Sequence, residues 1–233
     1  MAVRPRSRMR AFFDRLNDRI ALFGFRLGEI GCVDGIHLAH LRWRDDSREC
    51  FRSTIEASLG LIRERDPRRY ARVKRHVRWI VNRVANTMGA EYRWGIRACS
   101  LELQDLREVS QDVHVAFHAC LIVHEATHGV LESCGIAYDE KIRIRIERLC
   151  VLEQNRFAAK LSRFDPERYP VRLLHSEFDD RYWRWEWTAT SVQRRKAFLS
   201  RFLADLKAEP DTASTGGPAK PSGVSESAAG HHR

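Results

Sequence analysis

Nowhere in these 233 residues does an uncharged apolar run approach the ~18 residues that a membrane-spanning helix requires, so an integral helical membrane protein is not expected. The basic stretch Met1–Arg10 is followed by Asp14, Arg15, Asp18 and Arg19, which leaves no apolar core for a signal peptide. No two of the six cysteines form a Cys-x-x-Cys pair. Cys32, Cys50, Cys99, Cys120, Cys134 and Cys150 are scattered, several within apolar runs. Buried, reduced thiols in a cytoplasmic protein are therefore expected, not a disulfide framework or a cysteine zinc site. Lysine is scarce, 6 residues against 35 arginines, yet the net charge is +10. Such a surface attracts nucleic acid or an anionic membrane surface at long range, although an arginine-biased codon usage explains it without any partner. There is no internal repeat.

What remains is the composition of a globular domain, 43% hydrophobic and 31% charged. The expected organisation is a frayed basic N-terminus over 1–10, one domain over 11–207 and a disordered tail over 208–233, where Pro, Gly, Ser, Thr and Ala dominate. Phe12, Phe13, Leu16, Ile20 and Phe23 recur at helical spacing. Gly31 to Gly35 reads as a turn, and Ile36, Leu38 and His40 as a short strand. A helix from about Ser47 turns Cys50, Ile55, Leu59 and Ile62 inward. Asp66-Pro67 is a helix start. The stripe Tyr70, Val73, Val77, Ile80, Val81, Val84 extends that helix, with Arg68, Arg69, Arg72, Lys74, Arg75 and Arg78 on its solvated side. Tyr92, Trp94, Ile96 and Ala98 alternate as one half-buried strand. A long helix capped by Ser110 or Asp112 runs to Cys134 and stops at Gly135. Another, capped by Asp139, carries Ile142, Ile146, Leu149, Cys150, Phe157 and Leu161 inward and breaks at Asp165-Pro166. Trp183, Trp185 and Trp187 suggest an extended segment, followed by an amphipathic helix over Val192–Leu206. The fold class is α+β, mostly helical, with a small sheet beside the long central helix.

That central helix holds Leu121-Ile122-Val123-His124-Glu125-Ala126-Thr127-His128-Gly129-Val130, a His-Glu-x-x-His pattern without a charge other than its own glutamate. Residues i and i+4 share a helix face ~5–6 Å apart. Both imidazoles can therefore reach one zinc ion, with Glu125 beside it as a general base. The uncharged frame suits a buried site, because an unpaired buried charge is costly. A catalytic zinc needs a third protein ligand. Glu132 is excluded, since i, i+4 and i+8 spread over ~12 Å along a straight helix. Leu131 and Cys134 stand where a metzincin requires glycine and histidine. Glu147 and Glu153, on the next helix, remain. His114 and His118 are also four apart but rotated away from the motif face, and read as core or surface residues. His175 and Tyr138 are candidates to steady an oxyanion.

The order His124-Glu125-Ala126-Thr127-His128, Gly135-Ile136-Ala137-Tyr138, Arg145-Ile146-Glu147-Arg148-Leu149-Cys150 and Phe157-Ala158-Ala159 resembles the gluzincin metallopeptidases, the thermolysin-like type. It also resembles an uncharacterised group of small bacterial zincins. The likeness is strongest over 115–162 and weaker over 65–70. In gluzincins a second helix returns a ligand glutamate about twenty residues past the second histidine, and 147 − 128 gives 19 here. The resemblance thus implies a minimal zincin-like domain with metal ligands His124, His128 and Glu147. Glu153, which falls in the apolar stripe by helical rotation, is the competitor. Where the family often places an aspartate to orient a histidine, this chain has Val151. The expected function is a zinc-dependent metallopeptidase that hydrolyses a peptide or protein substrate, with a zinc-activated water and Glu125 as base. The alternative is a non-catalytic zinc-stabilised regulatory module that binds nucleic acid or an anionic membrane surface through its basic helix.

Overall fold

A computed structural model describes residues 8–41, 47–82, 90–103, 109–136, 138 and 142–176, with side chains from residue 15 onward. Helix α1 (Arg8–Leu27) begins inside the stretch expected to be frayed. Strands β1 (Glu29–Val33) and β2 (Ile36–His40) follow as an antiparallel hairpin. Their connection is only Asp34-Gly35, at φ 48° and 85°. A two-residue hairpin turn demands positive φ at both positions, and Asp and Gly tolerate it. The turn predicted over Gly31–Gly35 is therefore narrower, and most of that stretch is strand. Helix α2 (Arg48–Arg65) buries Ile55, Leu59 and Ile62 as its periodicity requires, but leaves Cys50 exposed.

Helix α3 (Pro67–His76) starts as its sequence dictates, with the Asp66 carboxylate accepting the Arg69 amide N–H at 3.1 Å. It ends earlier than expected. Val77 leaves the helix, and Trp79–Asn82 form strand β3, all four residues buried. A strand covered on both faces carries a continuous apolar run, so Val77, Ile80 and Val81 match a helical stripe equally well. The second correction concerns Tyr92 to Ala98. Instead of one strand there are two, β4 (Ala90–Arg93) and β5 (Ala98–Leu101), joined by a 3-10 turn over Trp94–Ile96 with Arg97 at φ 52°. Alternation continues across a tight turn, so period alone does not reveal the reversal.

The sheet order is β1-β2-β3-β5-β4, with β2, β3 and β5 parallel and an antiparallel strand at each edge. Phe25 of α1 packs with Ala39, Trp79, Val81 and Ala98 on one face. On the other face, Leu38, Ile80 and Cys99 join the main core with α2 and α3 and with three further helices: α4 (Gln111–Ser133), α5 (Arg143–Phe164) and α6 (Val171–Leu174). Helix α4 is the centre of this layer, and every residue from His118 to Ala126 is buried. Ser110 is its cap, accepting the Val113 amide N–H, and Gly135 at φ 76° follows its end.

The architecture is α+β and mostly helical, as expected, and no helix among the described residues is long and apolar enough to cross a membrane. Helix α5 begins at Arg143, with Ile142 at its cap position. Ile142 and Leu149 are exposed, so the buried face of α5 is rotated from the expected one. All six cysteines are free, but only Cys99, Cys120 and Cys150 are buried; Cys32 and Cys134 join Cys50 at the surface. Val84, Asp139, the segment Trp183–Trp187, the helix expected over Val192–Leu206 and the tail over 208–233 lie outside the described residues.

Candidate metal centre

Helix α4 needs its whole circumference apolar because other elements surround it, and that burial carries His124, Glu125 and His128 into the interior. Their exposures are 7%, 4% and 5%. The two imidazoles sit on one face with ring centroids 5.3 Å apart. Helix α5 packs against that face and presents Glu147, Cys150 and Gln154, residues i, i+3 and i+7, along one line. The Glu147 carboxylate, also 4% exposed, directs Oε2 to His124 Nε2 at 3.3 Å and to His128 Nε2 at 3.6 Å. Each orientation has a cause. His124 Nδ1 lies 3.0 Å from Gln154 Oε1, and the Gln154 amide in turn donates to Ser176 Oγ at 2.8 Å. The Tyr138 hydroxyl donates to Glu147 Oε1 at 2.5 Å. His128 is held by packing: the Tyr92 ring stacks on it and Trp94 meets it edge-on.

Both ring nitrogens of His124 thus face oxygen acceptors. Burial by itself lowers its pKa, but the bond to Glu147, the Glu125 carboxylate and Gln154 together raise it. Burial pushes Glu147 up, yet its bonds to His124 and Tyr138 and the nearby His128 hold it below the usual carboxylate range. Burial drives His128 down to about 4, leaving a neutral ring. Burial, then Glu147 and Glu125, push the Cys150 thiol well up. Two imidazole nitrogens converging with a buried carboxylate and a buried thiol fit a divalent cation. Among the described residues, one ligand atom each from His124, His128 and Cys150 lie within 4.8 Å of one another.

Glu153, the competing carboxylate, points away. It pairs with Arg69 at 3.1 Å and Arg156 at 2.6 Å on the flank of α5. The apolar residues of α5 span a wide arc, and the side facing α4 is centred near Cys150, not near Glu153. His114 and His118 pack against each other at 4.6 Å in the core, away from the motif face. His175 is exposed in a groove with Asp66, Arg69, Arg156 and Lys160, so of the two oxyanion candidates only Tyr138 reaches this centre. Sequence reasoning missed Gln154, whose signal was its position seven residues after Glu147. The segment from Tyr92 to Ala98 is expected to border the cleft, but no spacing connects Tyr92 and Trp94 to His128 in particular. No family model, no curated protein and no solved structure matches this chain.

Proposed function

We propose that this chain is a zinc-dependent metallopeptidase, and the observation that carries the reading is the Glu147 carboxylate, whose Oε2 lies 3.3 Å from His124 Nε2 and 3.6 Å from His128 Nε2, beside a buried Glu125. His124, His128 and Glu147 are the residues that would hold the ion. When bound, zinc supplies Lewis acidity, polarising a carbonyl and lowering the pKa of water. Gln154 takes the Nδ1 proton of His124 as a hydrogen-bond acceptor, which leaves the Nε2 lone pair as the ligand atom. Tyr138 keeps Glu147 ionised and oriented through its hydroxyl. Glu125 follows the first histidine directly and is not needed to complete the ligand set. Its carboxylate takes a proton from the attacking water and returns it to the departing amine nitrogen. Strand β4 is an edge of the sheet, and its Tyr92 touches His128. An extended peptide pairing with that edge would run past the site.

The binding-module alternative has less support. Arg68, Arg72, Lys74 and Arg75 are exposed, but Arg69 and Arg72 face Glu153 of α5 and so serve in part to dock two helices. A purely structural site would have no use for Glu125.

The test pairs zinc content with peptide hydrolysis for the wild type and Glu125→Gln. Loss of a general base costs ~10²–10⁴-fold, so hydrolysis should fall by at least the lower figure while zinc content stays unchanged. Hydrolysis retained within a few-fold would overturn the mechanism. Zinc-loaded protein that cleaves no peptide, but loses DNA or anionic-vesicle binding on Arg72→Glu, would establish the alternative.

A further inference from the structure

More donors point into this centre than a catalytic zinc requires. Cys150 lies three residues after Glu147 and four before Gln154, so the three share the face of α5 that packs on α4. Its exposure is 0%. Its sulfur and a ring nitrogen from each of His124 and His128 form a group no wider than 4.8 Å. At bond lengths of ~2.3 Å to sulfur and ~2.0–2.1 Å to nitrogen, neighbouring ligand atoms of a tetrahedral zinc stand ~3.3–3.6 Å apart. A cation that draws this group in by about an ångström would bind all of it. The other two buried thiols, Cys99 and Cys120, lie outside the group.

We propose that Cys150 is a fourth protein ligand, completing a His124–His128–Glu147–Cys150 shell around the bound cation. This rests on the reading that His124 and His128 hold a metal. The sulfur, releasing its thiol proton to solvent as the cation binds, then takes the tetrahedral position that a reacting water needs, so the centre has a closed resting form. Opening it requires exchange of the thiolate for solvent or a fifth coordination position. Cys150 also makes the site selective. A thiolate favours zinc and softer ions over magnesium or manganese, which carboxylate and water suit better.

The experiment is cobalt(II) loading of the full chain, read by absorption. Tetrahedral cobalt gives visible d–d bands, and a bound thiolate adds a charge-transfer band in the near ultraviolet. The wild type should show both. Cys150→Ser should keep the visible bands and lose the charge-transfer band, Cys120→Ser should keep both, and His124→Ala should bind cobalt weakly or not at all. Visible bands without a charge-transfer band in the wild type would overturn the proposal and leave the metal reading standing. Persistence of that band in Cys150→Ser would overturn it as well, by assigning the thiolate to another cysteine. No cobalt uptake by the wild type would sink the metal reading and the proposal together. If Cys150→Ser does not fold, X-ray absorption on the zinc-loaded wild type decides. One sulfur at ~2.3 Å supports the shell, and nitrogen and oxygen neighbours alone refute it.

Discussion

Gln154, and not the residue at position 151, faces a ring nitrogen of His124. Val151 is a buried apolar side chain, whereas Gln154 is 2% exposed and places Oε1 3.0 Å from His124 Nδ1. A residue that fixes the tautomer and ring angle of a ligand acts through that ligand, and removing such a partner typically costs ~10–100-fold in metal affinity. Gln154→Leu, which keeps the volume and removes the acceptor, is expected to weaken zinc binding by that factor. Competition against a chromophoric chelator measures it, and unchanged affinity would show that packing alone orients His124. The residue-level lesson is about what helical spacing conveys. His124, Glu125 and His128 are legible because their relation is local, three positions on one helix. Glu147 over Glu153 is not local. Both lie on α5, and only the docking of α5 on α4 sends one carboxylate inward and leaves the other to Arg69 and Arg156.

At the scale of elements, the position that sets the site's geometry is Gly129. A Cβ there would meet Tyr92 Oη at 2.6 Å and His76 Cβ at 2.7 Å. The absent side chain lets α4 approach the end of α3 and strand β4, where the Tyr92 hydroxyl donates to the His76 carbonyl at 2.7 Å. Two effects oppose each other in Gly129→Ala. Helix propensity favours alanine by ~0.5–1 kcal/mol. Overpacking against largely fixed neighbours costs ~1–3 kcal/mol. The clash involves the backbone-proximal atom of His76, so the second effect should dominate. A net loss of about 1–2 kcal/mol in urea denaturation is expected, together with weaker metal binding, since Tyr92 stacks on His128. A variant as stable as the wild type would show that α4 shifts without strain. Element boundaries were legible where capping chemistry marks them, as at Asp66 and Ser110. They were not legible where a chain reverses or changes type with its apolar pattern intact, as at Val77 and at Arg97.

At the scale of the molecule, burying α4 on all sides also buries His118, at 0% exposure, with its Nδ1 2.9 Å from the His114 carbonyl. Burial, assisted by the neighbouring His114, lowers its pKa from 6.5 to about 4. The neutral ring therefore stabilises the fold fully above pH 6.5, and that contribution is lost as pH falls from 6.5 towards 4. By pH 4.5 the loss should be about 2–3 kcal/mol. Asp66 lies outside this window. Burial pushes it up, but its bonds to Arg69 and Lys160 hold it below 3.8, so its contribution survives to lower pH. In chelator-treated protein, urea denaturation at pH 7.5 and 4.5 should show a smaller acid loss for His118→Leu than for the wild type. Equal losses would mean that other groups drive the acid transition.

The sequence alone determined the α+β class, the starts of α2, α3 and α4, and the candidate ligands His124 and His128 with Glu125 between them. Each follows from interactions within one or two helical turns, where spacing in the chain is spacing in space. Tertiary structure decided which carboxylate of α5 meets the two histidines, that Gln154 and Tyr138 contact these candidate ligands, and that Cys150 lies close to the two imidazoles. It also decided that the apolar run after His76 becomes a central strand. Those outcomes depend on how helices rotate against one another and on which strands flank a segment. An apolar or acidic residue carries no mark of its future neighbour, because burial and pairing are properties of the assembled layers and not of the local chain.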